Sequence, residues 1–407
     1  MELNMSDTMV KITEKLKGNV ARSVNPEGCR QEILNQIAYV QGKGKYEGAK
    51  KALIIGGSSS YGLASRITTA FGQGADTIGV SFERPPRDEN MLGTAGWYNN
   101  IYFREAAEKA GLIGKNFIGD AFAQDMKDQV IQYIKDSFGG KIDLLVYSVA
   151  APKRTNPDNP DETWRSVIKT VGKSVTGENI NLEENKLFEQ TVEPATDDEV
   201  EATKHVMGGE DWEIWVDELK AAGVLADGFK TILYSYIGPK STYDFYHEGT
   251  LGAAKDAAEA SSHKIQDKIN DINGEALISV SRAVTTKASV VIPIFPMYCI
   301  ALYKIEEETG THETPIMHKD RLLRDMVYGG RREVDDRGRL RPDAWEQRAD
   351  IQAKVSDLMK KITPENFNSS LTGYDEFRRE FMQLNGFEVP GADIDAVDLD
   401  ELMKLRP

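Results

Sequence analysis

Between Lys51 and Val149, four short apolar runs alternate with three stretches that carry helical periodicity, and this leaves few folds open. Lys51–Gly57 (KALIIGG) is apolar and closed by glycines, as a strand buried on both faces is. Tyr61–Phe71 then reads as a helix with Leu63, Ile67 and Ala70 on one stripe. Asp76–Phe82 is a second strand, Ile101–Ala110 a helix, and Asn116–Ile118 opens a third strand that ends at Gly119-Asp120. Asp125–Phe138 is helical, and Ile142–Val149 is a fourth strand. Strands alternating with helices of this length specify βαβ units and a parallel sheet.

The pattern breaks at Ala151. Residues 152–200 are rich in Pro, Asn, Asp, Glu and Thr, and read as an insertion forming a lip over the carboxyl edge of the sheet. Periodicity resumes with a helix at Asp211–Ala222, a fifth strand at Thr231–Gly238, a long helix at Thr250–Ile272 and a sixth strand at Ala276–Val284. An apolar helix follows at Val290–Ile305, with Pro293 and Pro296 expected to bend it. No segment has the composition of a flexible linker, so one domain over 1–407 is expected. The fold class is α/β: a Rossmann-type doubly wound parallel sheet with an inserted lid region and a helical C-terminal part. Its parts are a dinucleotide-binding half at 51–150, an insertion or lid at 151–230, a catalytic and substrate-binding half at 231–309 and a peripheral helical region at 310–407.

The formal net charge of −15 argues against a nucleic-acid partner and against general affinity for anionic membranes. Two cysteines, Cys29 and Cys299, make no disulfide framework. No apolar run reaches ~18 residues, so no membrane span is expected. The N-terminus has no apolar signal core, and cytoplasm is the expected location. No metal site is expected.

The chemistry gathers at strand ends. Gly56, Gly57, Ser58, Ser59, Ser60, Tyr61 and Gly62 lie between a strand and a helix, where backbone N–H groups receive a pyrophosphate. The second strand ends at Phe82 and Glu83, and an acid there binds ribose hydroxyls and repels a 2′-phosphate, although Arg84 beside it softens that discrimination. Asp120 is a candidate for the adenine edge. Val149, Ala150 and Ala151 let a cofactor pass close to the backbone.

Tyr246 and Lys255 are separated by eight residues. Positions nine apart point in roughly opposite directions on a straight helix. Gly249 breaks the helix and Thr250 is a plausible N-cap, so the tyrosine is expected in a loop and the lysine in the first turns of a helix.

The chain resembles the trans-2-enoyl-CoA and enoyl-acyl-carrier-protein reductases of the Tyr-x8-Lys type. The resemblance rests on Pro26-x-Gly28-Cys29, Tyr61-Gly62-Leu63-Ala64, Gly96-Trp97-Tyr98-Asn99, Gly119-Asp120-Ala121-Phe122, Val206 to Trp212, Tyr234-Ser235-Tyr236-Ile237-Gly238, Tyr246-x8-Lys255, Ile292-Pro293-x-x-Pro296-x-Tyr298 and Leu384-Asn385-Gly386-Phe387. Ser60 stands where that family usually has glycine, and Asn25 where it usually has histidine. The family pattern begins near Val10, which makes residues 1–9 an N-terminal extension, with Met9 as an alternative start.

The resemblance implies NADH as cofactor and a short-chain trans-2-enoyl thioester such as crotonyl-CoA, or an enoyl-acyl-carrier-protein, as substrate and partner. The reaction saturates the 2,3 double bond, in fatty acid synthesis or butyrate-type fermentation, on a monomer or weak homodimer. Tyr246 is implied as proton donor, Lys255 as a cofactor contact beside it, and Tyr236 as a contact of the acyl thioester. Residues 56–61, Phe82, Glu83, Asp120, Ala121, Val149 and Ala150 are implied in the NADH site, and Ala283, Val284 and Thr285 at its nicotinamide end. Hydride addition pushes charge onto the thioester oxygen, and a hydroxyl held there stabilises the enolate. Tyr246 and Tyr236 are both candidates for that contact, and the proton reaches carbon directly or through the enolate oxygen. A nearby Lys255 ammonium is expected to make Tyr246 the better acid. Ile292, Ile294, Phe295 and Met297 are expected to line a groove for the acyl chain. Lys153 and Arg154 are the nearest basic pair for a phosphate-bearing carrier. Two other readings of the same fold are a carbonyl reductase, which predicts Tyr-x3-Lys where Thr250 stands, and a non-catalytic dinucleotide-binding protein.

Overall fold

A computed structural model describes residues 8–392, 394 and 396–407. Residues 1–7 of the expected extension lie outside the described residues. Its end does not stand apart: β1 (Met9–Lys11) pairs antiparallel with a strand near the C-terminus, Met9 opposite Asp398. A small hairpin, β2 (Leu16–Lys17) and β3 (Val20–Ala21), leads into α1 (Pro26–Gly42). Asn25 caps α1, its Oδ1 accepting from the Gly28 amide at 3.1 Å, a task the short amide performs without a histidine.

The doubly wound core then follows in the expected order. β4 (Lys51–Ile55), α2 (Ser60–Ile67), β5 (Asp76–Ser81), α3 (Ala95–Lys109), β6 (Gly114–Ile118), α4 (Gln124–Ser137) and β7 (Ile142–Tyr147) form the first half. α3 starts well before Ile101, because Ala95 to Asn100 are buried on it as well. The insertion is two antiparallel hairpins, β8 (Lys153–Asn156) with β9 (Asn159–Arg165) and β10 (Val175–Asn181) with β11 (Lys186–Val192), followed by α5 (Asp197–Met207) and α6 (Glu210–Ala221). The second half is β12 (Leu225–Ser235), a single turn α7 (Tyr243–Tyr246), α8 (Thr250–Ile269), β13 (Glu275–Val280) and α9 (Phe295–Thr309). α10 (Pro315–Arg321), α11 (Ala349–Met359), α12 (Tyr374–Gln383), β14 (Ala396–Asp398) and α13 (Leu399–Lys404) complete the chain.

The six long strands form one parallel sheet in the order β13-β12-β7-β4-β5-β6. Alternate residues serve its two faces. Leu53, Ile55, Ile78, Val80, Leu145 and Leu233 pack with Val130, Trp212, Trp215 and Ile265 from α4, α6 and α8. Ala52, Ile54, Leu144, Val146 and Ile232 pack with Leu322, Leu323, Met326 and Leu340. With both faces covered, the strands need continuous apolar runs, and this made them visible in the sequence.

Two expectations are corrected. The sixth strand ends at Val280, four residues short of Val284, because β12 itself ends at Ser235; the Ser281 amide makes the last bond to it, at 2.7 Å to the Ser235 carbonyl, while Leu340 bonds the other edge. Pro293 and Pro296 bend no helix. α9 starts only at Phe295, Pro296 sits in its first turn, where a missing N–H costs nothing, and Ile294 precedes it at φ 67°.

The N- and C-terminal motifs interlock. A Cβ on Gly28 would lie 1.7 Å from the Gly386 carbonyl oxygen, and the Asn25 amide bonds the Asn385 carbonyl at 2.9 Å. Gly28→Ala is therefore expected to destabilise the protein by about 3 kcal/mol in chemical denaturation. An unchanged midpoint would show that α1 and residues 384–387 separate without cost.

Candidate active site

The ladder registers bring the chemistry to one edge. Ile55 pairs with Val80 and Tyr147, Ser81 with Ile118, Leu233 with Tyr147 and Ser235 with Val280. The residues just past these positions are Gly56, Phe82, Gly119, Ser148, Tyr236 and Ser281, so the strand ends singled out in the sequence share one carboxyl edge.

At the centre of that edge the β4–α2 turn is tight. Gly56 has φ 86°, and a Cβ there would meet the Ser148 carbonyl oxygen at 2.1 Å; one on Gly62 would meet the Gly56 oxygen at 2.0 Å. Ser60 adopts φ 47°, the left-handed region that explains why glycine is usual at this position. Its Oγ is buried without a hydrogen-bond partner. An unsatisfied hydroxyl at a helix N-terminus fits an anionic ligand such as a pyrophosphate. Ser59 and Ser60 line a small cavity of about 90 Å³ with Asn99 and Thr285. Tyr61 turns away from this turn: its hydroxyl donates to the Arg282 carbonyl at 2.5 Å and its ring packs on Tyr234.

Glu83 is held in place. Ser58 Oγ donates to its Oε1 at 2.6 Å, and Thr94 donates to its Oε2. A Cβ on Gly96 would sit 2.0 Å from Oε1, and Asn99 Nδ2 donates to the Ser58 carbonyl at 2.9 Å, so the Gly96-Trp97-Tyr98-Asn99 run builds the cradle of this carboxylate. Each carboxylate oxygen retains capacity for a second donor. Phe82 beside it is 74% exposed, an apolar face at a polar strand end. Asp120 is exposed and Oδ1 accepts from the Phe122 amide at 2.9 Å, while Ala121, Val149 and Ala150 border the same edge.

Tyr246, Tyr236 and Lys255 meet in a cavity of about 30 Å³. Tyr246 ends the single-turn α7 rather than lying in a loop, and Gly249 caps α8 in place of Thr250. Thr250 is the first residue of α8, and its Oγ1 donates to the Val167 carbonyl at 2.7 Å, which ties α8 to the insertion. Tyr246 and Lys255 thus lie on two separate elements, α7 and α8. The ring of Tyr246 packs edge-on against Tyr236 at 4.5 Å between centroids, and Phe295 lies 5.6 Å away. Burial first, then the charges of Cys299, Tyr61 and Glu346, push the Tyr246 hydroxyl well above its ordinary pKa. Lys255 Nζ donates to the Tyr234 carbonyl at 3.3 Å, and burial lowers its pKa to about 8. Burial, rather than Lys255, sets the direction of the Tyr246 shift and holds the tyrosine protonated, while Lys255 Nζ is directed at the main chain.

One residue of this centre was not anticipated. Residues 310–407 were expected to be peripheral, yet the short helical turn Pro342–Trp345 carries Glu346 into the site, 1% exposed. Its Oε1 accepts from Tyr298 at 2.8 Å and Tyr236 at 3.2 Å, and its Oε2 from the Ala283 amide at 2.6 Å. Burial raises its pKa to about 7; Arg282 opposes this and Glu306 adds to it. Glu346 thus fastens Tyr236 to the Ala283-Val284-Thr285 segment, all three residues of which are buried. Arg282, ion-paired with buried Glu306, anchors the same segment from behind. No sequence signal marks Glu346, one of 65 acidic residues in the chain.

Ile292, Phe295 and Met297 are buried in the core beside these tyrosines, and Ile294 lies under the β10–β11 hairpin, where a Cβ on Gly177 would meet it at 2.6 Å. Arg154 is not available to a carrier: it is 2% exposed and paired with Glu210 at 2.7 Å.

Residues 91–328 match the family described as the trans-2-enoyl-CoA reductase catalytic region, and residues 11–88 its NAD(P)H binding domain. Among similar proteins, an NADH-dependent enoyl-acyl-carrier-protein reductase of Photobacterium profundum is 52% identical over 96% of this chain and 98% of its own. An NADH-dependent trans-2-enoyl-CoA reductase of Clostridium beijerinckii is 48% identical over 98% of this chain and 100% of its own. The crystal structure of Clostridium acetobutylicum trans-2-enoyl-CoA reductase in complex with NADH superposes with a TM-score of 0.94 at 45% identity, covering 98% of this chain and 100% of that one. Residues 334–397 match a segment described as an enoyl reductase FAD binding domain. Its described residues do not fit a flavin dinucleotide. They form no strand–glycine–helix turn for a pyrophosphate, and Ile351, Val355, Phe377 and Phe381 are spent on the core around α9.

Proposed function

The chain belongs to the trans-2-enoyl-CoA reductase family, and from that premise we infer that it reduces the 2,3 double bond of trans-2-enoyl thioesters with NADH. The observation that carries the assignment of roles is the convergence of Tyr246, Tyr236 and Lys255 on one cavity at the carboxyl edge of the sheet. The turn at Gly56–Ser60 holds the pyrophosphate, Glu83 the adenosine ribose, Phe82, Asp120 and Ala121 the adenine, and Val149, Ala150 and the 283–285 segment the nicotinamide end. NADH, when bound there, supplies the hydride for the β-carbon.

The chain's own residues manage the charge and the proton. Tyr246, kept neutral by burial, directs its hydroxyl at the thioester oxygen as negative charge develops, and gives up the proton that ends on the α-carbon. An enolate is basic enough to take a proton from a tyrosine whose pKa is raised. Lys255, on the rigid α8, holds the nicotinamide ribose and closes the gap between α8 and the end of β12. Tyr236, positioned by Glu346, becomes the second donor to the thioester oxygen when its hydroxyl is released from that carboxylate. Apolar walls from Phe295 and Met297 exclude water and receive a short acyl chain. The setting proposed is cytoplasmic; no helix of the described residues is long and apolar enough to cross a membrane.

Crotonyl-CoA should be reduced to butyryl-CoA with stoichiometric NADH oxidation. NADH binding without turnover of any enoyl thioester would overturn the assignment. At the pyrophosphate turn, Ser60→Gly is expected to have two opposite effects. Relief of the left-handed strain should stabilise the protein by about 1 kcal/mol. Loss of the unpartnered hydroxyl should weaken NADH binding about fivefold. Tighter NADH binding in that variant would show that Ser60 Oγ makes no contact with the cofactor.

A further inference from the structure

The molecule carries a net charge of −15, yet one groove on it is basic. It encloses about 550 Å³ and is lined by Lys11, Lys15, Arg22, Arg84 and Lys287, with Glu89 its sole acid. Among the described residues none of these five side chains forms an ion pair. Several exposed cations elsewhere are neutralised, as Arg332 is by Glu275, Lys264 by Glu213 and Arg348 by Asp350. Five uncompensated cations around one concavity repel each other, and an anion bound among them removes that cost.

Position narrows the anion. The groove adjoins the Glu83 cradle through Arg84 and Thr94, but Phe82, Asp120 and Ala121, assigned to the adenine, do not line it. Lys287 lies two residues beyond Thr285. Lys15 and Arg22 flank the β2–β3 hairpin, which is fastened by Asn19 Nδ2 to the carbonyls of Val290 at 2.9 Å and Ile180 at 2.7 Å. The groove thus runs beside the segment that leads from the sheet edge to the apolar start of α9. A volume of this size is that of a small-molecule site, whereas a folded carrier protein needs a matched surface of about 1,000 Å² or more.

We propose that this groove receives the phosphate-bearing 3′-phospho-ADP end of a CoA thioester, with the pantetheine arm leading along the 285–292 segment to Tyr246. The assignment rests on the reading of the chain as an enoyl thioester reductase. The three phosphates meet Lys15, Arg22 and Lys287, and the ring system lies along the Met91–Gly93 wall.

The test compares crotonyl-CoA, crotonyl-dephospho-CoA and crotonyl-pantetheine as substrates of the wild type and a Lys15→Gln/Arg22→Gln variant, with desulfo-CoA binding by calorimetry alongside. The variant should raise the KM for crotonyl-CoA relative to that for crotonyl-pantetheine about tenfold, and weaken desulfo-CoA binding by a similar factor. NADH binding serves as the control for folding, because both replaced side chains are exposed. An equal shift on both thioesters, no shift, a rise only in the KM for NADH, or an effect confined to a crotonyl-acyl-carrier-protein would each overturn the proposal. Failure of the wild type to turn over any thioester would count against the reductase reading, while desulfo-CoA binding would still decide the groove.

Discussion

Tyr246→Phe is expected to lower kcat on crotonyl-CoA by about 10²- to 10⁴-fold while leaving NADH affinity within about twofold of wild type. The ring is retained, so its packing on Tyr236 and Phe295 survives and the fold is undisturbed. What disappears is the hydroxyl that the account places on the thioester oxygen. Burial holds that hydroxyl protonated well past neutrality, so the wild type should show no limb from Tyr246 between about pH 6 and 9. A fully active phenylalanine variant would move the proton to Tyr236 or to water.

Glu346 separates two effects that mutation usually confounds. Glu346→Ala leaves Tyr236, Tyr298 and the Ala283 amide without their buried acceptor, at about 1–3 kcal/mol each, so both stability and kcat should fall substantially. Glu346→Gln keeps the shape and should remain folded. The pH profile discriminates. With its pKa near 7, Glu346 is neutral in acid and charged in base. The carboxylate draws the Tyr236 hydroxyl away from the substrate and opposes a nearby enolate, so kcat should fall as pH rises through about 7. In Glu346→Gln that falling limb should vanish, with a change in kcat of about tenfold. If the limb persists in the glutamine variant, Glu346 is structural support only.

The sheet, its order of elements and its edge were legible because parallel strands buried on both faces require uninterrupted apolar runs, as in Leu53–Ile55 and Leu144–Val146. The Tyr246/Lys255 spacing was legible as a break between elements, although the cap fell on Gly249 and freed Thr250 to bind the insertion. The hairpins of the insertion were not legible. β9 (Asn159–Arg165) is exposed along nearly its whole length, so no alternation of apolar and polar residues marks it. Glu346 was hidden for another reason. It reaches the site only because Leu340 bonds with β13 and draws the following turn beneath Tyr236, an approach with no local signature.

The most direct test of the central claim is the position of deuterium in the product when crotonyl-CoA is reduced with unlabelled NADH in D₂O. A 2-enoyl reduction with a solvent-exchangeable tyrosine as donor places one deuterium at C2 of butyryl-CoA and none at C3. Deuterium at C3, or a product reduced at the thioester carbonyl, would contradict it.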